Sequence, residues 1–256
     1  MYIQRYPLLT LPKQQSAFLW GVRKVGKSTY LKHLFPWAIN YDLLQSDLVI
    51  RLNKTPALLR QEVLALCQQQ DSPLVIIDEI QKIPTLLDEI HWLIENTSCQ
   101  FILCGSNALK LKRQNVNMLG GRAWKYHLYP FIFAELGDWD LLKLWSHGAL
   151  PPHWQSSSAK KSLKSYSEDY LTLEIQAESQ IRNVPAFARF IDSLRFSNGN
   201  MLNYNNISRE CGVDAKTIQH YFQILIDSLL GYYLYPYRKQ VSRSIIRDTP
   251  KFYLFD

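Results

Sequence analysis

Several features are missing from this 256-residue chain. It has only four cysteines, Cys67, Cys99, Cys104 and Cys211, with none of the spacings that hold zinc or set a disulfide frame. Reduced, buried thiols in a cytoplasmic protein are therefore expected. No apolar run approaches the roughly 20 residues of a membrane span, and no signal-peptide core follows Met1-Tyr-Ile-Gln-Arg-Tyr-Pro7. Neither a membrane nor export is expected, and no internal repeat is visible. Acids are absent from two long stretches, between Glu95 and Glu135 and from Leu141 to Ser167. The first carries Lys110, Lys112, Arg113, Arg122 and Lys125; the second carries Lys143, Lys160, Lys161 and Lys164. A third cluster, Arg238, Lys239, Arg243, Arg247 and Lys251, is opposed only by Asp248. With a formal net charge of +7, such patches suit phosphate-rich partners such as nucleic acid, although a merely solvated basic surface explains them equally well.

What is present is globular in balance, with 47% apolar and 20% charged residues. Ser16-Ala-Phe-Leu-Trp20 reads as a buried strand that stops at Gly21. A helix from Thr29 to Phe35, ended by Pro36, and a second strand over 37–41 follow. Thr55 is expected to cap a helix with Pro56 at its first position and Leu58, Leu59, Val63, Leu66 and Cys67 as its apolar stripe. Leu74-Val-Ile-Ile77 and Phe101-Ile-Leu-Cys104 are apolar throughout, as strands buried on both faces of a parallel sheet are. Between them, Pro84 opens a helix whose core face is Leu86, Leu87, Ile90, Leu93 and Ile94. Strands alternating with helices at this spacing predict a parallel α/β sheet, completed by the alternating run Ala123–Leu128.

Pro151-Pro152 and Ser156-Ser-Ser158 mark a boundary, giving expected domains over 1–155 and 156–256. The second half reads as helical over 166–182 and 185–196. Asn206 then caps a short helix to Cys211, Gly212 turns, and Asp214 caps a longer helix over 215–230. Ile218, Phe222, Leu225 and Leu229 share one face of that helix. Gly231 ends it, and 232–237 with 251–255 form a β-hairpin. Helix, short turn, helix and hairpin is the order of a winged helix-turn-helix.

The chemistry concentrates early. Gly21, Val22, Arg23, Lys24, Val25, Gly26, Lys27 and Ser28 satisfy the pattern G-x-x-x-x-G-K-[ST] in full. Glycines let the loop curl so that amide N–H groups point inward at a β-phosphate, and the following helix aims its positive end at the same place. Lys27 reaches the β- and γ-phosphates, the Ser28 hydroxyl is a magnesium ligand, and Thr29 completes the binding segment. By composition alone such a match arises in about one chain in a hundred of this size. Asp78 and Glu79 close an apolar strand about fifty residues later. A carboxylate at the carboxyl tip of a parallel strand faces the crevice where ligands bind, so Asp78 is a second magnesium ligand. Glu79 is the candidate that polarises the attacking water. Ser106 and Asn107, at the tip of the next strand, are candidates for sensing the γ-phosphate or orienting that water. Arg122 is the candidate cation for the transition state, donated in cis or from a neighbouring subunit, with Arg113 and Arg23 as competitors.

These residues resemble the AAA+ superfamily. More narrowly, they are similar to a group of bacterial and archaeal ATPases in which a P-loop domain precedes a winged helix and a nuclease-like domain. The matching pieces are Gly21–Ser28, Ile77-Asp-Glu-Ile-Gln-Lys-Ile-Pro84, Phe101-Ile-Leu-Cys-Gly-Ser106 and Leu119-Gly-Gly-Arg122. In the second half, Tyr170-Leu-Thr-Leu-Glu-Ile175 and Asn203–Val213 also fit. Cys104 stands where the group usually has threonine. The sequence stops at Asp256 within a strand-like run, where members of the group continue, so the nuclease-like part is expected to be absent. The resemblance implies an ATP-binding core that uses magnesium.

Three functions compete on sequence grounds. The first is an ATPase whose hydrolysis drives a conformational change, with a homo-oligomer sharing its sites. The second is an ATP-controlled DNA-binding switch in which hydrolysis is incidental; its recognition helix would expose Lys216, Gln219, His220 and Gln223, and packing alone explains that helix as well. The third, a small-molecule kinase, is disfavoured because the Asp78-Glu79 pair suits activation of water.

Overall fold

The computed structural model describes residues 2–6, 9–106, 119–137, 140–168, 170, 181–237 and 249–256. They form two compact units. One comprises residues 1–140 with Leu150–Pro152, and the other comprises Leu141–Ala149 with His153–Asp256.

In the first unit, five strands make one parallel sheet. They are β1 (Ser16–Trp20), β2 (Ile39–Asp42), β3 (Leu74–Asp78), β4 (Gln100–Gly105) and β5 (Ala123–His127), in the order β2-β3-β4-β1-β5. Every residue of β1 is buried, as is nearly all of β3 and β4, which is why these segments are apolar apart from an end residue. The edge strands β2 and β5 carry exposed positions instead. Because all pairings are parallel and in near register (Asp42 opposite Asp78, Trp20 opposite Gly105), the carboxyl tips gather at one edge of the sheet. That edge is where open α/β sheets bind ligands.

The connections are helical: α1 (Lys27–Leu34), α2 (Ser46–Lys54), α3 (Ala57–Gln69) and α4 (Leu86–Asn96), with a short turn α5 (Phe133–Leu136) after β5. The predicted α4 stripe is buried at Leu86, Leu87, Ile90 and Leu93, while Ile94 is half-buried. Arg60 of α3 pairs with Glu89 of α4 at 3.4 Å, and its guanidinium lies over the Trp92 ring. Two expectations are corrected. Thr55 caps nothing by its side chain: it is the residue that ends α2, a helix not expected from the sequence. The first described turn of α1 begins at Lys27 rather than Thr29, since Gly26 already supplies the left-handed residue before it.

The second unit contains the short helices α6 (Leu141–His147), α7 (Pro151–Trp154, which begins in the first unit) and α8 (Ala159–Ser165), then α9 (Val184–Ser197), α10 (Tyr204–Cys211) and α11 (Ala215–Asp227). Strands β6 (Gly231–Leu234) and β7 (Lys251–Leu254) pair antiparallel, as the expected hairpin requires. Its core is aromatic: Phe187 and Phe190 from α9 and Tyr221 and Phe222 from α11 meet ring to ring, and Phe222 meets Phe252 of β7. Asp214 caps α11 by accepting from the Thr217 amide at 2.9 Å. The α10 helix starts earlier than expected, because Asn203 rather than Asn206 is its cap and the Asn206 amide is the donor. Helix α11 ends at Asp227, and Gly231 opens the strand. A Cβ at Gly231 would lie 2.5 Å from the Phe252 ring, so glycine there serves packing. Most of the helix expected over 166–182 lies outside the described residues.

Candidate functional site

The loop from Gly21 to Gly26 joins the tip of β1 to the start of α1. Gly21 is held where a side chain has no room: a Cβ would sit 2.6 Å from the Leu128 carbonyl oxygen and 2.8 Å from Val25. Its amide donates to the Gly105 carbonyl at 3.4 Å, which ties the loop to the tip of β4. Gly26 has φ of +93°, a left-handed conformation that glycine adopts without strain. Lys24 is also left-handed. The helix that follows opens with the amides of Lys27, Ser28 and Thr29, which have no acceptor within the helix and form its positive end.

Lys27 is buried, and its Nζ donates to the carbonyls of Gly21 at 2.8 Å and Val22 at 3.3 Å. Burial pulls its pKa below the ordinary lysine value; Glu79, Cys104 and Asp78 oppose that shift, and Arg23 adds to it. The exposed Ser28 donates its hydroxyl to Asp78 Oδ2 at 2.6 Å, and the other carboxylate oxygen of buried Asp78 accepts from the Glu79 amide at 3.0 Å. Serine hydroxyl and aspartate oxygen, side by side at the mouth of the loop, are the hard oxygen donors that magnesium prefers. The residues therefore fit a magnesium–triphosphate group: oxygen ligands on one side, a buried ammonium and a helix N-terminus on the other. Beside Ser28 and Asp78 a cleft of about 270 Å³ opens between α1 and strands β2 and β3, with Lys32 and Asn40 on its walls.

Glu79 sits just past the tip of β3 in a left-handed conformation, φ 58° and ψ 42°. Its carboxylate accepts from Gln81 Nε2, which also donates to Ser106 Oγ at 3.3 Å. Ser106 is thus brought to the site, while Asn107 and Arg113 lie outside the described residues. Cys104, fully buried under this edge, has its thiol pushed well above the usual range by desolvation, so it is inert packing.

Arg122 is not brought to this site. It precedes β5, where its carbonyl accepts from the Ser16 amide, and its guanidinium pairs with Glu95. Ser16 begins β1 and Gly21 follows its end, a separation of roughly 17 Å along the strand. An arginine side chain does not span that distance, so the expectation of a cation donated in cis is corrected.

Two participants escaped the sequence reading. Gln81 is one. Arg5 is the other: nearly fully buried, it donates to the Val25 carbonyl inside the loop at 2.8 Å and to the Tyr129 carbonyl, and it pairs with Glu135 at 3.0 Å. Glu135 also accepts from the amides of Tyr6 at 2.6 Å and Ile132 at 3.0 Å. The segment ahead of β1 thus supports the back of the loop. An arginine at the fifth position of a chain carries no motif; the faint signal was Glu135, the acid that closes a stretch without any.

A glycine-bounded loop between β1 and α1, with a carboxylate at the tip of β3, defines a nucleotide-binding P-loop domain. Residues 13–137 match a family model described as an AAA domain, and this half of the chain is an AAA+ P-loop domain. Residues 138–256 match a family described as a domain of unknown function. No curated protein matches the sequence. Among solved structures, the chain is similar to the Orc1 protein of Aeropyrum pernix in complex with DNA, at 11% identity and a TM-score of 0.38, over 94% of this chain and 83% of that one. It is also similar to a Signal Transduction ATPase with Numerous Domains that carries a tetratricopeptide repeat sensor, from Pyrococcus horikoshii. That match has 11% identity and a TM-score of 0.32, over 99% of this chain and 42% of that one.

Proposed function

We propose that the chain is a magnesium-dependent ATPase whose nucleotide cycle drives a conformational change. The observation that carries this is the Ser28–Asp78 hydrogen bond of 2.6 Å beside a buried Lys27. It joins the loop to the tip of β3 at the point where a metal-bound triphosphate would need oxygen ligands. Lys27 and the opening amides of α1 bind and orient the phosphates; Gly21, Val22, Arg23, Lys24, Val25, Gly26 and Thr29 shape the cradle. Ser28 and Asp78 would hold magnesium, which supplies positive charge to the phosphoryl oxygens when bound. Glu79 orients and polarises water on the γ-phosphate side. Arg122, at the opposite edge of the sheet, belongs to this reading as a cation offered to the site of a neighbouring copy.

Measuring phosphate release and nucleotide affinity together tests the proposal. Lys27→Ala is expected to lose both. Glu79→Gln is expected to keep ATP while releasing phosphate at least about 100-fold more slowly, the scale on which lost positioning acts. Wild-type rates from Glu79→Gln would remove that residue from its role, and a wild-type chain indifferent to magnesium-ATP would end the proposal.

A second reading, an ATP-controlled nucleic-acid binder, is favoured by exposed polar and basic side chains on two helices of the second unit. Lys216, Gln219, His220 and Gln223 are all exposed on α11, and Lys160, Lys161 and Lys164 are exposed on α8.

A further inference from the structure

Gln81 occupies a position its surroundings do not explain by packing. It is only 3% exposed and sits in the tight turn Ile80–Lys82, two residues after Glu79. Its amide nitrogen donates to both the Glu79 carboxylate and Ser106 Oγ. Only that orientation lets Gln81 donate to the carboxylate, and it turns Oε1 toward the Gly105 backbone, where the oxygen is buried without a hydrogen-bond partner among the described residues. A buried amide oxygen left unmatched is unfavourable, and a methionine or leucine would fill the same space without that cost. Gly105 accommodates the side chain because it has none of its own: a Cβ there would lie 2.5 Å from Gln81 Oε1 and 2.6 Å from the Trp20 ring. The Gly105 carbonyl also accepts the Gly21 amide, so one polar chain runs from Glu79 through Gln81 to the tip of β4 and on to the phosphate loop.

We propose that Gln81 is the positioning residue for Glu79: its amide fixes the carboxylate against Ser106 and keeps it in register with the phosphate loop during attack by water. This deepens the ATPase reading and rests on it. The left-handed backbone at Glu79 points the same way, since a non-glycine residue persists there only where its surroundings hold it.

The test compares wild type, Gln81→Met, Glu79→Gln and the double variant, measuring kcat and KM for magnesium-ATP hydrolysis and the Kd of magnesium-ADP. Methionine keeps the length and unbranched shape while removing the donor. Gln81→Met is expected to lower kcat about 10- to 100-fold, with the Kd within about 2-fold of wild type. The double variant is expected to be no slower than Glu79→Gln, because the two residues act as one unit. Wild-type kcat in Gln81→Met would overturn the proposal, as would a loss that adds in full to that of Glu79→Gln. Hydrolysis absent from the wild type would instead remove the ATPase reading, and this proposal with it. Should Gln81→Met not fold, Gln81→Glu preserves the shape and sets a second carboxylate against Glu79. The same loss of kcat is expected there, and an unchanged kcat would again overturn the proposal.

Discussion

Lys27 carries its charge in a place that disfavours charge. Burial lowers its pKa, while the loop carbonyls accept its hydrogen bonds and nearby Glu79, Cys104 and Asp78 oppose the shift. A phosphate chain needs the protonated form, so affinity for magnesium-ATP should be full only below the folded pKa of Lys27. It should be lost as pH rises through a value below the ordinary 10.5 of lysine. Calorimetric titration across about pH 7 to 10 checks this. Lys27→Arg, which keeps its charge throughout that range, should show no such alkaline loss even if its neutral affinity is weaker. The grouping of Lys27, Ser28 and Asp78 at one edge of the sheet was legible in the sequence, because the G-x-x-x-x-G-K-[ST] pattern and an acid closing an apolar strand have recognisable residue types and local spacing. Gln81 and Arg5 were not. Their roles come from which strand tips and segments the fold sets side by side, and a lone glutamine or arginine has no periodicity to announce it.

At the scale of elements, the central strands were readable because burial on both faces keeps their interiors apolar and leaves polar residues only at their ends. Boundaries were less so. Thr55-Pro56 has the composition of a helix start, yet the preceding helix α2 reaches it first and uses Thr55 as its end. That helix was passed over because only Leu52 of its nine residues is buried, leaving little apolar pattern to read. Asp214, in contrast, caps α11 as its sequence position suggests, with the Thr217 hydroxyl and then the Thr217 amide lowering its pKa. The sign follows: the folded pKa lies below the unfolded one, so the cap contributes fully above the usual aspartate range of about 4. Its contribution fades as pH falls below that value. Asp214→Asn should remove this dependence. Thermal melts at about pH 7 and pH 3 should show a smaller acid-induced drop in the variant than in wild type, and equal drops would exclude the cap as a source.

At the scale of the molecule, charge rather than fold decides the remaining question. If the lysines of α8 and the polar face of α11 engage a duplex, affinity should be measurable at about 50 mM salt. It should then fall by an order of magnitude or more by about 200 mM, as phosphate contacts release counterions. Fluorescence anisotropy with a labelled duplex at both salt levels decides; no binding at low salt rejects that partner. The arrangement of the first unit has its own implication. Leu150–Pro152 belong to it, separated from the rest by Leu141–Ala149, and Pro151 Cγ lies 3.7 Å from the place a Cβ on Gly26 would take. During synthesis the P-loop emerges early, but the last piece of its unit leaves the ribosome only after α6 has been made. The nucleotide-binding half therefore closes late, and a nascent chain paused before residue 150 would expose it incomplete to chaperones and proteases.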